Sequence, residues 1–332
     1  MRESFDVSAL GNAIVDVLAR VDDAFLRSLN IEKGGYQPLT ETESLALYKR
    51  IPPATELSGG SAANTIAGLA SFGLKTAYMG TYKNDEFGRI FAHDLHASGV
   101  HFPSQPFTRG PGTGRSIILV APDAERAMNT YMGASVAITP DTLIDEVVAS
   151  SKIFCSEAYV WEPTPAQQTL FKGAKICKES GTKFALTLSD QFYLKRHAAE
   201  VRSFITDHVD ILIGNVDEAK TLYQTDSRED ALKQVQVSCD IAAITDGKNG
   251  SYLLTKDAIL HVERFPTNHV VDTTGAGDAY ACGFLYGILS GLPLTETGKI
   301  ASIIASDIIT HLGSRPDRSY QRILQEKLVI NL

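Results

Sequence analysis

From about Pro140 onward the chain alternates short apolar runs with longer stretches of helical periodicity, and that alternation leaves few folds open. Residues 153–156, 183–187, 211–214, 241–245 and 251–254 read as strands, being short apolar runs bounded by turn-forming residues. Residues 164–180, 197–207, 216–223 and 228–237 lie between them with helical patterns, and 295–309 and 319–326 bracket a Gly313-Ser-Arg315-Pro turn. Such a rhythm predicts an α/β fold, a mostly parallel central sheet covered by helices on both faces.

The N-terminal part has a different texture. Residues 5–11 read as a short buried strand, and 13–21, which include Asp16, as a second strand in an exposed or half-covered sheet. Regularity breaks over 33–38, and 40–48 reads as a helix capped by Thr40 with acids in its first turn. Residues 57–73 form a glycine turn opening a helix of small side chains, followed by a strand at 75–80 and a helix at 85–98. A Gly-rich entry at 110–120 leads into a strand that pairs with 129–133 across Ala121-Pro122-Asp123. The expected organisation is a large domain from 1–11, 55–109 and 134–332, with a small β-rich lid from 12–54 and 110–133.

At 332 residues and 44% hydrophobic content the chain can bury a sizeable core, and 21% charge without low-complexity tracts argues against disorder. Lys+Arg of 31 against Asp+Glu of 39 gives 31 − 39 = −8, with no basic stripe, so nucleic acid is excluded as the expected partner. Cys155, Cys177, Cys239 and Cys282 are widely separated, which suggests buried reduced thiols rather than a zinc site or disulfides. No charged leader with an apolar h-region precedes the first strand and no run of eighteen apolar residues occurs, so cytoplasmic residence without membrane contact is expected. A monomer and a homodimer both remain open.

The chemistry concentrates between Val270 and Leu289, where a strand end, a Gly275-Ala276-Gly277 turn and Asp278 directly precede an apolar helix. Glycines let a main chain approach a ligand, and the first amides of a helix, having no intrahelical acceptors, point at any anion placed there. Asp278 at the edge of that cradle suits a base for a substrate hydroxyl. A tight turn capped by Asp278 fits the same residues. Neither a P-loop, nor a protein-kinase motif set, nor a dinucleotide fingerprint is present.

Three motifs stand in order: Gly59-Gly60-Ser61-Ala62-Ala63-Asn64 followed by Gly73, Asn215-Val216-Asp217-Glu218, and this same turn, Asp272-Thr-Thr-Gly-Ala-Gly-Asp278. Together they resemble the signatures of the ribokinase (PfkB-type) family of sugar and nucleoside kinases, over nearly the whole chain. The resemblance implies a ribokinase-like fold and a small-molecule acceptor, with Asp278 as catalytic base and the amides of Gly275, Ala276 and Gly277 as anion hole. It implies ATP as donor along Asn215, Thr245, Gly247 and Gly250, and Mg²⁺ organised through water by Asn215 and Glu218. The same Asn215 and Glu218 also satisfy a capping box, and 245–250 a plain hairpin. Asp272 and Thr274 match positions that hold a monovalent cation, K⁺, in some relatives.

By the same resemblance Asp16 grips two acceptor hydroxyls beside Asn12, Gly59, Gly60 and Asn64. The phrase Gly11-Asn-Ala-Ile-Val-Asp16 is closer to the adenosine kinases of the family than to the ribokinases, which implies adenosine as acceptor at its 5′-hydroxyl. A simple sugar kinase (ribose, fructose or a keto-deoxy sugar acid) and a non-catalytic ligand-binding relative are the alternatives. Tyr36, Tyr131, Met132 and Trp161 are available for a base slot, and Arg115 for substrate or phosphate. Gly313-Ser-Arg-Pro departs from the Gly-Ala of many members, on the side assigned to adenine.

Overall fold

The computed structural model describes residues 4–123, 125–162, 164–267 and 269–329. Its strands in chain order are β1 (Phe5–Leu10), β2 (Ile14–Arg20), β3 (Tyr36–Pro38), β4 (Thr55–Gly59), β5 (Thr76–Met79), β6 (Gly114–Val120) and β7 (Arg126–Tyr131). They continue as β8 (Ser151–Glu157), β9 (Lys183–Thr187), β10 (Ile211–Asn215), β11 (Ile241–Thr245), β12 (Ser251–Thr255) and β13 (Ala258–Val262). The helices are α1 (Asp23–Ser28), α2 (Glu41–Tyr48), α3 (Ser61–Ser71), α4 (Glu86–Ala97), α5 (Asp145–Ala149) and α6 (Thr164–Ser180). After these come α7 (Gln191–His208), α8 (Val216–Tyr223), α9 (Arg228–Ser238), α10 (Ala276–Leu289), α11 (Leu294–Ile308) and α12 (Tyr320–Val329).

An eight-stranded sheet runs in the order β13-β12-β11-β10-β9-β8-β1-β5, parallel from β5 to β11 and antiparallel at β12 and β13. Burial on both faces follows from the apolar runs in its strands. Ile153, Cys155, Ala185, Ile211 and Ile213 belong to the core shared with α3, α10 and α11, whereas Phe154, Phe184, Leu186 and Leu212 belong to the core shared with α6 to α9. The doubly covered parallel sheet expected from the sequence is therefore present. All four cysteines are buried and unpaired. No helix among the described residues is long and apolar enough to cross a membrane.

A second sheet runs in the order β3-β7-β6-β2-β4 and contains the segments expected to form the lid, a name it keeps. Its strands divide their side chains strictly by parity. Val15, Val17 and Ala19 of β2, Ile117 and Leu119 of β6 and Ala127 of β7 enter the core that includes Phe87 and Phe91 of α4. Ile14, Asp16, Ser116, Ile118, Arg126, Met128 and Thr130 face the opposite way, into a cleft against the large sheet.

Several expectations need correction here. Residues 13–21 are not a half-exposed strand: β2 is buried except at Arg20, because helices cover one side and the cleft wall the other. β4, placed by sequence in the large domain, pairs antiparallel with β2 and forms the lid's edge, so the lid extends past residue 54. α7 begins at Gln191, capped by Asp190, and the expected start at 197 coincides instead with a break in helical geometry at His197. The edge strand β13 and helix α1 lacked a periodic signal long enough to mark them. By contrast α2 starts where expected, with Thr40 and Glu43 forming a reciprocal capping box.

Arg115 turns out to be a lid support rather than a substrate or solvent group. It is 2% exposed, donates through Nε to Ser44 Oγ at 2.8 Å and through a terminal nitrogen to the Glu41 carbonyl at 3.2 Å, and lies between the Phe87 and Tyr131 rings. A buried guanidinium so placed locks α2 onto β6. Arg115→Ala should cost about 2–4 kcal/mol of folding free energy, since it leaves a void and unpaired acceptors. Urea unfolding followed by circular dichroism checks this, and an unchanged midpoint would remove the supporting role.

Candidate active site

The carboxyl ends of β1, β8, β10 and β11 open toward the inner face of the lid, at the place where the strand order turns back around β1. A cavity of about 370 Å³ lies there, and Asn12, Asp16, Gly60, Asn64, Glu218 and Asp278 line it. Next to it a groove of about 480 Å³ runs past Thr245, Gly247, Gly250, Phe265 and Tyr280. Thr245, Thr273, Ala276 and Gly277 line both. Two binding spaces therefore meet across one main-chain turn.

That turn is the amino end of α10. Gly275 is its N-cap at φ 77°, a left-handed conformation that glycine takes at little cost, and a Cβ there would lie 2.6 Å from Ser314 Cβ. The Ala276 N–H bends back to the Thr273 carbonyl at 3.3 Å. Among the described residues the N–H groups of Gly275, Gly277 and Asp278 have no acceptor, and a Cβ on Gly277 would meet only open space. Free amides at a helix start beside an open cleft make an anion site.

Asp278 is not the cap of that helix. Its Oδ1 accepts from Ser61 Oγ at 2.7 Å and its Oδ2 from Asn64 Nδ2 at 2.8 Å, which ties α10 to the first turn of α3. Burial raises its proton affinity, while the Ser61 and Asn64 donors and the charges of Arg315 and Arg126 oppose that rise. The Asn64 amide is committed at both ends, since its Oδ1 accepts from Ser314 Oγ at 3.0 Å. Asn64, expected to contact the acceptor, lines the cavity and also holds Asp278.

Asp16 projects from β2 over Gly59, where any Cβ would come within 2.2 Å of its Cγ. Only glycine at 59 admits this carboxylate. Burial pushes Asp16 up to about 7, with Asp278 and Asp272 raising it further and Arg315 drawing it down. Asn12 presents the complementary donor: its Nδ2 is buried and unpartnered, while its main-chain N–H donates to Glu157 Oε1 at 2.8 Å. Gly60 caps α3 at φ 90° with its Cα against the Asn12 carbonyl.

Asn215 and Glu218 form the capping box of α8, with both bonds at 2.9 Å. They also border the cavity, where burial pushes Glu218 up to about 7. Glu218 Oε2 is used by the cap, so a Mg²⁺ at this place would be held through water and ligand oxygens rather than by a cage of side chains. In keeping with that, no cluster of three His, Cys, Asp or Glu suited to a metal occurs among the described residues. Asp272 accepts from the N–H and hydroxyl of Thr274 at 2.9 and 2.7 Å and from the Gly313 N–H at 3.0 Å. Its carboxylate shapes the turn.

Trp161 lies in the core against Phe204, and Tyr131 under Arg115, whereas Tyr36 and Met132 do reach the cavity. Sequence reading missed Glu157, whose oxygens accept the Asn12 and Ala62 N–H groups at 2.8 and 2.7 Å, although a lone acid ending an apolar strand was a usable signal. It also missed Arg126, Tyr159 and Tyr193, and nothing local in the sequence marks them. Arg126 reaches from β7 to the Thr273 hydroxyl, joining lid and turn, with its Nε unpaired.

The profile of the pfkB family carbohydrate kinases matches residues 48–319. Among curated proteins, the 5-dehydro-2-deoxygluconokinase of Bacillus licheniformis is 25% identical over 321 residues, 94% of this chain and 92% of that protein. That of Shouchella clausii is 26% identical over 322 residues, with 94% and 92% covered. Among solved structures, a probable sugar kinase protein from Rhizobium etli CFN 42 is 40% identical with a TM-score of 0.93, covering 98% of this chain and 99% of that one. The adenosine kinase from Sinorhizobium meliloti is 41% identical with a TM-score of 0.92, covering 98% and 100%.

Glu157 offers a test of the site's electrostatics. Burial pushes it up to about 7 against an ordinary 4.5, so its contribution to stability is complete at low pH and is lost as pH rises through that interval. Relative to Glu157→Gln, the unliganded wild type should therefore weaken by roughly 1.4 kcal/mol per pH unit between about pH 5 and 7, and no further above. Urea unfolding of both proteins at pH 5, 6, 7 and 8 measures the difference, and a constant difference contradicts it.

Proposed function

The chain belongs to the pfkB family of carbohydrate kinases, and from that premise we propose that it transfers the γ-phosphoryl group of ATP to the 5′-hydroxyl of adenosine, giving AMP and ADP. Asp16 and Asn12 hold the ribose hydroxyls, one as acceptor and one as donor. Asp278 takes the proton of the attacking hydroxyl while the bond between the γ-phosphorus and the bridging oxygen of ADP breaks. The amides of Gly275 and Gly277 receive the transferring group, with the Ala276 amide joining once it leaves Thr273. Triphosphate and adenine lie in the groove along Thr245, Gly247 and Gly250. Magnesium, when bound near Glu218 and Asn215, supplies charge neutralisation for the phosphates. Closure of the lid keeps water out.

The observation that carries adenosine over an acidic sugar is the charge and texture of the cavity. Asp16, Glu157, Glu218 and Asp278 line it, and among its described lining residues the single cation is Arg126, which reaches the Thr273 hydroxyl from one terminal nitrogen. An anionic acceptor would have to share that one cation with four acids, whereas a neutral nucleoside needs no cation. Ile14, Ile118, Met128, Met132, Tyr36 and Tyr193 add apolar wall that a purine fills and a small polyol does not. The 41% identity to an adenosine kinase points the same way. A keto-deoxy sugar acid is the second reading, supported by curated relatives spanning 94% of the chain. Free amides beside a donor-held carboxylate argue against a non-catalytic relative.

Purified protein with ATP and Mg²⁺ should phosphorylate adenosine far faster than ribose, fructose or 5-dehydro-2-deoxygluconate, as read by coupled ADP release. Turnover of the sugar acid without adenosine would reverse the choice of acceptor. Asp278→Asn should lower kcat at least about 10³-fold, and near-normal turnover would end the mechanism.

A further inference from the structure

The turn between α11 and α12 carries Ser314 and Arg315 away from the donor groove, in behind the carboxylates. Ser314 is 4% exposed and donates its hydroxyl hydrogen to Asn64 Oδ1 at 3.0 Å. An amide is a donor at one end and an acceptor at the other, and its partners decide which end faces which way. A hydroxyl hydrogen delivered to one end of Asn64 requires oxygen there, so the NH₂ end must face Asp278 Oδ2, at 2.8 Å. Were Asn64 reversed, its oxygen would oppose a carboxylate oxygen. Resting on the kinase reading with Asp278 as base, we propose that Ser314 is a positioning residue that fixes the Asn64 amide and through it the orientation of the Asp278 carboxylate.

Two neighbouring contacts support this role. Ser314 packs directly on the Gly275 turn, where a Cβ would lie 2.6 Å from its own, so the hydroxyl is held at a set height behind the anion site. Arg315 donates to the Ser58 carbonyl at 2.8 Å and to the Ala63 carbonyl at 2.9 Å, bracing β4 and the first turn of α3, which present Ser61 and Asn64. The segment thus sets both donors of the base. Other charged and titratable groups face Asp278: Arg315 from the same turn, Arg126 from β7, Asp16 from β2, Cys155 and Glu157 from β8, Tyr159 just after it and Tyr320 from α12. Of these, Asp16 also has a hydrogen bond from the Ser314 side chain, which draws its proton affinity down, so the hydroxyl serves Asp16 as well as Asn64 and the double variant with Asn64→Leu separates the two routes.

The test is the pH dependence of kcat with adenosine and ATP in Ser314→Ala, a smaller side chain that the fold accommodates. Asp278 must be ionised to accept a proton, and a donor aimed at it favours the ionised form. With the amide free to turn, the acid limb of kcat should move to higher pH by about one unit, a loss of up to about tenfold below the limb. The high-pH plateau and the KM for ATP should be kept. Asn64→Leu should show the same shift, and Ser314→Ala should add nothing to it in the double variant. An unmoved limb, or additive effects, overturns the proposal.

A second measurement needs no turnover. In ¹⁵N spectra of the free protein, the Asn64 side-chain amide pair, assigned by its loss in Asn64→Leu, should titrate with a midpoint that rises in Ser314→Ala. An unchanged midpoint in an active enzyme rejects the role of Ser314 alone. Failure to phosphorylate any acceptor, with the shifted midpoint seen, rejects the kinase reading instead.

Discussion

Three carboxylates, the buried Asp16 and Glu157 and the half-buried Asp278, lie within sight of one another at the seam between two sheets, and the surrounding architecture makes that tolerable. Unpaired buried charge is among the most costly things a protein can contain. Here the compensation comes chiefly from donors. Glu157 is met by two main-chain N–H groups, Asp278 by Ser61 and Asn64, and Asp16 by the field of Arg315 and the Ser314 side chain. Donors of this kind lower the cost of an ionised oxygen without neutralising it, which leaves the group able to accept a proton or a ligand hydroxyl.

The same contacts join the two parts of the chain. Asp278 is on a helix of the large layer and Ser61 and Asn64 on a helix that follows directly from strand β4 of the small sheet, so the proposed base has its donors only when these segments are correctly opposed. Arg126 adds a second link from the lid to the turn at Thr273. On the proposed mechanism, assembly of the reacting groups is thus coupled to the docking of the small sheet on the large one.

What could be read from the sequence was whatever is local. The strand and helix rhythm after Pro140, the capped start of α2 and the glycine turn before α10 each follow from residues within a few positions of one another, and each is present. Pairing across long separations was less legible. β4 looks like a loop until β2 supplies its partner, and Glu157 gains meaning only from Asn12 and Ala62, 145 and 95 residues away. Asn64 lies at the cavity, where its motif pointed, but nothing in that motif reveals that Ser314, 250 residues later, holds the other end of its amide. Arg115 misled for the opposite reason: a cation on a lid strand suggests phosphate, and its aromatic partners come from elsewhere in the chain.

Parity along the lid strands has an evolutionary corollary. Because one set of alternating positions on β2, β6 and β7 is spent on helix packing and the interleaved set on the cleft wall, ligand preference can drift at positions such as Ile118, Met128 or Thr130 while the neighbouring residues preserve folding. A family built on such strands can diversify its chemistry one face at a time. An inserted or deleted residue has no such freedom, since it would exchange the two faces at a stroke and bury the recognition surface in the hydrocarbon interior.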